Sequence, residues 1–145
     1  YLIDAICEKD IEEAFIKHTN WDLRKGTPYV IACSETLKSK IESPRIHQGI
    51  TGTAGGFYGP QGRVLRLGIQ DPELNSKMDS FNFNGHRMAN LEMETSAIYG
   101  LGKLLGHNCL SMNAIIANRA TGTFSDDPYK AVDELIEYTL NKLAE

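Results

Sequence analysis

Gln61 and Arg63 stand two residues apart, just after an aromatic pair, Phe57-Tyr58. If residues 61–63 are extended, the two side chains leave the same face, because side-chain direction alternates along an extended chain. Gln61 brings an amide with one acceptor and two donors, and Arg63 brings donors alone. Such a pair suits a flat ligand whose edge alternates carbonyls with an N–H, as a pyrimidine does. Phe57 is placed to stack on that ring. The same pair also fits a second description, as polar tips of a turn. Further on, Glu92-Met93-Glu94 places two carboxylates one residue apart. On a strand they share a face at about 6–7 Å. That separation serves either acid/base chemistry on a glycosidic bond, where inverting enzymes use about 6.5–9.5 Å, or the grip of vicinal sugar hydroxyls. Glu94 fits equally well as an acid in the first turn of a helix, where the dipole favours negative charge.

Other chemistries find no support. Gly52-Thr53-Ala54-Gly55-Gly56 is rich in small residues, yet it lacks both the dinucleotide glycine spacing and a phosphate-loop lysine. His18, His47, His86 and His107 show no metal spacing, so no metal site is expected. Cys7, Cys33 and Cys109 are scattered and odd in number, which reads as three buried thiols in a reducing compartment. A net charge of −4 argues against a nucleic-acid partner. No stretch reaches the length of a membrane span, and no signal peptide opens the chain, so a cytoplasmic setting is expected.

The elements that must hold these groups alternate. Asp10 reads as the N-cap of a first helix, with Glu13 in a capping-box position and His18 near its end. Residues 29–33 read as a buried strand, and Ser34 as the cap of a helix reaching Ile41. Residues 46–53 form the next strand, and 64–69 a further one. Asp71-Pro72 starts a helix that buries Leu74, Met78 and Phe81. Residues 82–85 turn the chain, with His86 and Arg87 exposed nearby. Residues 89–94 make a strand leading into a helix whose apolar face carries Ala97, Ile98, Leu101, Leu104 and Leu105, with Gly106 as its stop. The nearly all-apolar run 109–117 reads as a central strand and 121–125 as loop. Asp127-Pro128 opens a last helix that buries Val132, Leu135, Ile136, Leu140 and Leu143. Alternation of this kind, over 145 residues that are 41% hydrophobic, predicts one α/β domain with a mixed sheet flanked by helices. Ligands in such sheets sit at the carboxyl ends of strands. The Phe57–Arg63 loop, Glu92-Met93-Glu94 and Asn118-Arg119 all fall at such ends.

Taken together, Phe57-Tyr58-x-x-Gln61-x-Arg63, then Glu92-Met93-Glu94, then a buried strand ending in Asn118-Arg119, resemble the uridine phosphorylase branch of the nucleoside phosphorylase family. The resemblance spans about residues 10–143 and implies that family's three-layer fold. It implies that Phe57 stacks on uracil while Gln61 and Arg63 bind its edge. It places Ile116, Ala117 and Arg119 around the base as well. Met93 and Glu94 would bind ribose, with Glu92 supporting them. Arg63 and Glu94 would be the catalytic pair. Asn118 stands where purine-specific relatives usually carry an acid, which favours a pyrimidine. The implied partners are a pyrimidine nucleoside such as uridine, phosphate as co-substrate, no cofactor, and further copies of the chain in a homo-oligomer.

Enzymes of that family are about twice as long, and their phosphate-binding glycines and arginines lie in an N-terminal half. Residues 1–145 are therefore expected to be the C-terminal portion of one nucleoside phosphorylase domain, a pentosyltransferase. That portion would be inactive alone and would expose apolar edges prone to self-association. Three other readings stay open: a nucleosidase that uses water, a purine nucleoside phosphorylase of the same fold, and a non-catalytic binding or oligomerisation module.

Overall fold

The computed structural model describes residues 3–118 and 121–145. A short 3-10 turn at Ile3–Ile6 precedes helix α1, Lys9–Thr19. Glu8, not Asp10, occupies the N-cap position. Asp10 falls in the first turn, where its charge meets the positive end of the helix dipole. Glu12 faces inward at 4% exposure. Its carboxylate accepts from Lys9 Nζ (2.9 Å) and from the Val30 N–H (3.0 Å). The predicted strand at 29–33 does not form among the described residues. Both polar groups of Val30 are engaged by the start of α1, the N–H by Glu12 and the carbonyl by the Glu8 N–H at 2.8 Å. No ladder can then grow through that residue.

Helix α2, Glu35–Ile41, opens as predicted, with Ser34 Oγ accepting the Leu37 N–H. Three strands make the main sheet: β1 (Ile50–Thr53), β2 (Asn82–Phe83) and β3 (His86–Glu92). Their order is β1-β3-β2, with β1 parallel to β3 and β2 antiparallel to it. The sheet is therefore mixed, as predicted. Asn84 and Gly85, both at positive φ (52° and 89°), make the two-residue turn between β2 and β3. Positive φ at both positions matches the twist of the flanking strands. His86 and Arg87 are exposed.

Between β1 and β2 comes helix α3, Leu74–Ser80. It starts later than Asp71-Pro72 suggests. Asp71 instead caps the preceding turn, its carboxylate accepting the Glu73 N–H at 3.1 Å. Leu74, Met78 and Phe81 are buried as expected, and with Ile41 they are the buried apolar side chains among the described residues. Phe15 of α1 meets Phe81 edge-on at 5.2 Å, and Trp21 lies 5.6 Å from Phe15. His18, in the last turn of α1, bonds Ser80 Oγ at 2.9 Å. This cluster fastens α1 to α3.

Residues 64–69 form no strand, and Val64, Leu65 and Leu67 are exposed. Nor does the apolar run 109–117 form a central strand. Only Ala117–Asn118 (β4) pairs, antiparallel with Thr123–Phe124 (β5), where loop was expected. A Ser34 N–H bond to the Cys109 carbonyl (2.9 Å) ties this run to the end of segment 29–33. The three cysteines form no disulfide and are partly exposed, not fully buried. Burial pushes the Cys33 thiol up.

Helix α4, Thr95–Leu104, ends at Gly106, where the His107 N–H returns to the Gly102 carbonyl at 2.7 Å. Its buried positions are Thr95, Gly100 and Gly102, and the Tyr99 hydroxyl takes the Ser111 N–H at 2.7 Å. The predicted apolar face points outward, with Ile98, Leu101 and Leu105 all more than half exposed. Helix α5, Pro128–Ala144, starts as predicted, with Asp127 accepting the Lys130 N–H. It docks on α2 through Tyr138, whose hydroxyl bonds the Ile41 carbonyl and Ser43 Oγ. Val132, Ile136, Leu140 and Leu143 stay exposed. Helical spacing groups side chains on one face, and burial then depends on what that face meets. Here Tyr138 sets the rotation of α5 and turns its apolar stripe outward.

An open cleft of about 2370 Å³ runs between residues 29–33, 46–55, 63–71 and 110–115. Among the described residues, no helix is long and apolar enough to cross a membrane.

Phe81→Ala removes the ring that links α1, α3 and β2. It is expected to cost about 3–5 kcal/mol, read as a lower urea midpoint; an unchanged midpoint would refute this account of the core.

Candidate active site

β1 and β3 run parallel and end side by side, with Thr53 opposite Glu92. The Ala54 N–H carries the pairing one residue further, bonding the Glu92 carbonyl at 2.8 Å. Two of the three predicted polar groups leave from these carboxyl ends, where parallel strands present ligands.

The first group is the loop after β1. Residues 61–63 are not extended. Gly59–Gln61 forms a 3-10 turn that Gly62 closes at φ 73°. The Gln61 and Arg63 N–H groups both bond the Tyr58 carbonyl at 3.0 Å. The side chains still meet, because the tight turn folds one back on the other. Arg63 Nη1 donates to Gln61 Oε1 at 2.7 Å and to the Phe57 carbonyl. The guanidinium carbon lies 3.5 Å from the centre of the Phe57 ring, a cation–π contact. Gln61 is 3% exposed, while Phe57 is half exposed and meets Tyr58 edge-on at 5.3 Å. Phe57, Gln61 and Arg63 are thus one unit: an open aromatic face, a fixed cation and an amide.

The second group lies at the β3–α4 junction. Glu92 ends the strand, Met93 lies in a bend, and Glu94 occupies the N-cap position of α4. The two carboxylates therefore do not share a strand face. Glu92 turns to the helix start, its Oε2 accepting the Glu94 and Thr95 N–H groups at 2.7 Å each. Its Oε1 accepts the Thr53 hydroxyl hydrogen. Partial burial pushes the Glu92 carboxyl up, but the bonds from Thr53, Glu94 and Thr95 outweigh it and hold the group below the usual range. Glu92 is committed to structure. Glu94 is exposed, and its carboxylate accepts the Met93 N–H at 3.3 Å. Met93 is exposed beside it.

The third group is not on a central strand. Ile116 and Ala117 lie at the β4–β5 hairpin and are exposed, the Ile116 carbonyl accepting the Ser125 N–H. Arg119 lies outside the described residues.

Sequence reasoning missed the residues that bind the first two groups together. Thr53 Oγ1 gives its hydrogen to Glu92 and accepts the Ser96 N–H at 3.0 Å. Ser96 Oγ in turn accepts from the Tyr29 hydroxyl at 3.0 Å, and Thr95 Oγ1 bonds Ser111 Oγ at 3.3 Å. The register β1–β3 is needed to see Thr53 beside Glu92, since 39 positions separate them. The one local signal was Thr95-Ser96 at a helix start, residue types that satisfy free N–H groups. Among the described residues, no cluster of His, Cys, Asp and Glu could hold a metal ion.

Glu92 has a folded pKa below its unfolded value, so its contribution to stability is full above the unfolded value. It is lost as pH falls through the folded one. Thr53→Val is expected to raise the Glu92 pKa toward the ordinary range and to cost about 1 kcal/mol near neutral pH. Carboxyl NMR titration and denaturation measure the two, and an unmoved pKa would remove Thr53 from this role.

Two comparisons match the chain to known proteins. A protein-family model described as the phosphorylase superfamily matches residues 2–145. The crystal structure of a nucleoside phosphorylase from Trypanosoma brucei, described as showing uridine phosphorylase activity, matches with a TM-score of 0.72 at 25% identity. The match covers 94% of this chain and 49% of that one, so the chain spans about half the length of the structure it matches. A comparison with curated proteins found no match.

Proposed function

The chain belongs to the phosphorylase superfamily, and from that premise we propose that it carries the base- and ribose-binding face of a uridine phosphorylase. The observation that carries the reading is the Phe57–Gln61–Arg63 unit at the carboxyl end of β1, beside Met93 and Glu94 at the end of β3. The matched structure's description names uridine phosphorylase activity, which supports the same reading.

In that reaction a phosphate oxygen attacks the ribose C1′. The C1′–N bond breaks, and its electron pair leaves with the base, giving ribose 1-phosphate and uracil. Positive charge develops on the sugar and negative charge on the base. Phe57 offers a half-exposed ring to stack on uracil. Arg63 is a cation of fixed charge held next to that ring, suited to meet the negative charge as it grows. Gln61 is assigned to the base edge with Arg63, and its buried Oε1 holds the Arg63 guanidinium in place. Glu94, exposed at the start of α4, takes the ribose hydroxyls and fixes the sugar for in-line attack. Met93 packs on the sugar, and Glu92 acts indirectly by shaping this turn. Ile116, Ala117 and Arg119 are assigned to the rim of the base pocket. Phosphate is the co-substrate, and no cofactor is required.

The phosphate site is assigned to the part of the fold that this chain does not span, in a polypeptide whose C-terminal portion is residues 1–145. The chain alone would then bind base and sugar without turnover. Assembly as a homo-oligomer in the cytoplasm belongs to the same reading. The nucleosidase alternative gains nothing from Glu92, whose carboxylate is taken up at the helix start.

The test is uracil release from uridine by a polypeptide spanning the full phosphorylase fold with this chain in it. Release should require phosphate and yield ribose 1-phosphate, and Arg63→Ala should lower kcat by about 10²-fold or more. Phosphate-independent release would make it a nucleosidase. Preference for inosine would make it purine-specific. Unchanged turnover in Arg63→Ala would take Arg63 out of the chemistry.

A further inference from the structure

We propose that Asn75, on α3, is a positioning residue for the base-reading loop, setting the Gln61–Arg63 turn by packing its planar amide against Gly62. The inference rests on the reading of that loop as the base site. Gly62 is at φ 73°, and its N–H closes the turn on the Gly59 carbonyl at 2.9 Å. A Cβ built there would stand 2.5 Å from both the Nδ2 and Oδ1 atoms of Asn75. Either orientation of the amide therefore meets Gly62 equally closely. No side chain larger than hydrogen fits while Asn75 stays in place.

The amide comes from a firm support. Leu74 and Met78, which flank Asn75 on α3, are buried, and Phe81 beyond them joins the aromatic cluster with α1. Asn75 Oδ1 is shut from solvent and has no hydrogen-bond partner among the described residues. Buried acceptors are nearly always paired, and an exception calls for a reason. The reason here is geometric: a flat, branched, short side chain covers the Gly62 backbone, and the turn beyond it is then fixed. That turn puts Arg63 on Phe57 and on Gln61. A supporting residue on a rigid helix can thus hold a loop-borne site to a narrow geometry.

The test uses NMR on this chain without ligand. Asn75→Ala should lower the hydrogen-exchange protection of the Gly62 and Arg63 N–H groups by about tenfold, with core amides unchanged. The Arg63 side-chain signals should lose the shift imposed by the Phe57 ring. Asn75→Leu, which keeps a short side chain branched at Cγ and adds no charge to this buried place, should restore both. Gly62→Ala is strained by its positive φ with or without Asn75, so the collision is read from the coupling: the loss in Gly62→Ala/Asn75→Ala should be clearly smaller than the sum of the two single losses. Additive losses in the double variant, or an Arg63 signal unmoved by Asn75→Ala, would overturn the proposal. A uracil titration of the same samples reads the base site separately. Uracil-induced shifts that vanish in Asn75→Ala and return in Asn75→Leu support both ideas. Absence of shifts in the unaltered chain would overturn the base-site reading, while the loop result would still decide Asn75's hold on the turn.

Discussion

The Glu92 carboxylate is the interaction on which the other local geometry depends. One oxygen holds Thr53 at the end of β1, and the other holds the first two N–H groups at the start of α4. Each of those N–H groups would otherwise be an orphan of the helix terminus. A single side chain therefore fixes where β1 stops, where β3 bends and where α4 begins. Because β1 and β3 are parallel, their ends stay together, and both the aromatic loop and the exposed Glu94 are launched from one place. Negative charge at this point also suits the helix dipole. The group carries structural weight because it is fully used, and for the same reason it is a poor proton donor or acceptor for chemistry.

The structure's helices are held unevenly. α1 and α3 share an aromatic core around Phe81. α4 and α5 are attached by hydroxyls, Tyr99 to Ser111 and Tyr138 to Ile41 and Ser43, with their apolar stripes facing out. Segments 29–33 and 110–115 lie on the wall of a large open cleft without strand partners of their own.

Local signals in the sequence were read correctly where the cause is local. Ser34 and Asp127 cap helices through bonds to N–H groups three residues on. Asn84-Gly85 turns the chain, and Gly106 ends α4. Leu74, Met78 and Phe81 are buried because one short helix presents them together. Two helix starts were misplaced, at Asp10 and at Asp71-Pro72, and the larger failures are those that need a partner. A strand at 29–33 or 109–117 exists only if something pairs with it, and an apolar stripe on α4 or α5 is buried only if something covers it. The pairing of Gln61 with Arg63 came out right for a different reason: a turn brings them together where an extended chain was expected. Glu92 and Glu94 share no face, since the strand ends at Glu92 and the chain bends at Met93 before the helix begins. Asn75 carries no motif at all, and its importance follows from a glycine thirteen positions earlier that only the fold brings beside it.

The stacking of Arg63 on Phe57 means that the ring is already solvated by a cation before any ligand arrives. In the base site proposed above, a planar ligand would then stack on the half of the ring left open while the guanidinium keeps its own place on it. A ring polarised by a resident cation attracts a second partner more strongly when that partner gains electron density. Stacking and charge recognition would thus rest on one pair of side chains, so that neither could be altered without the other.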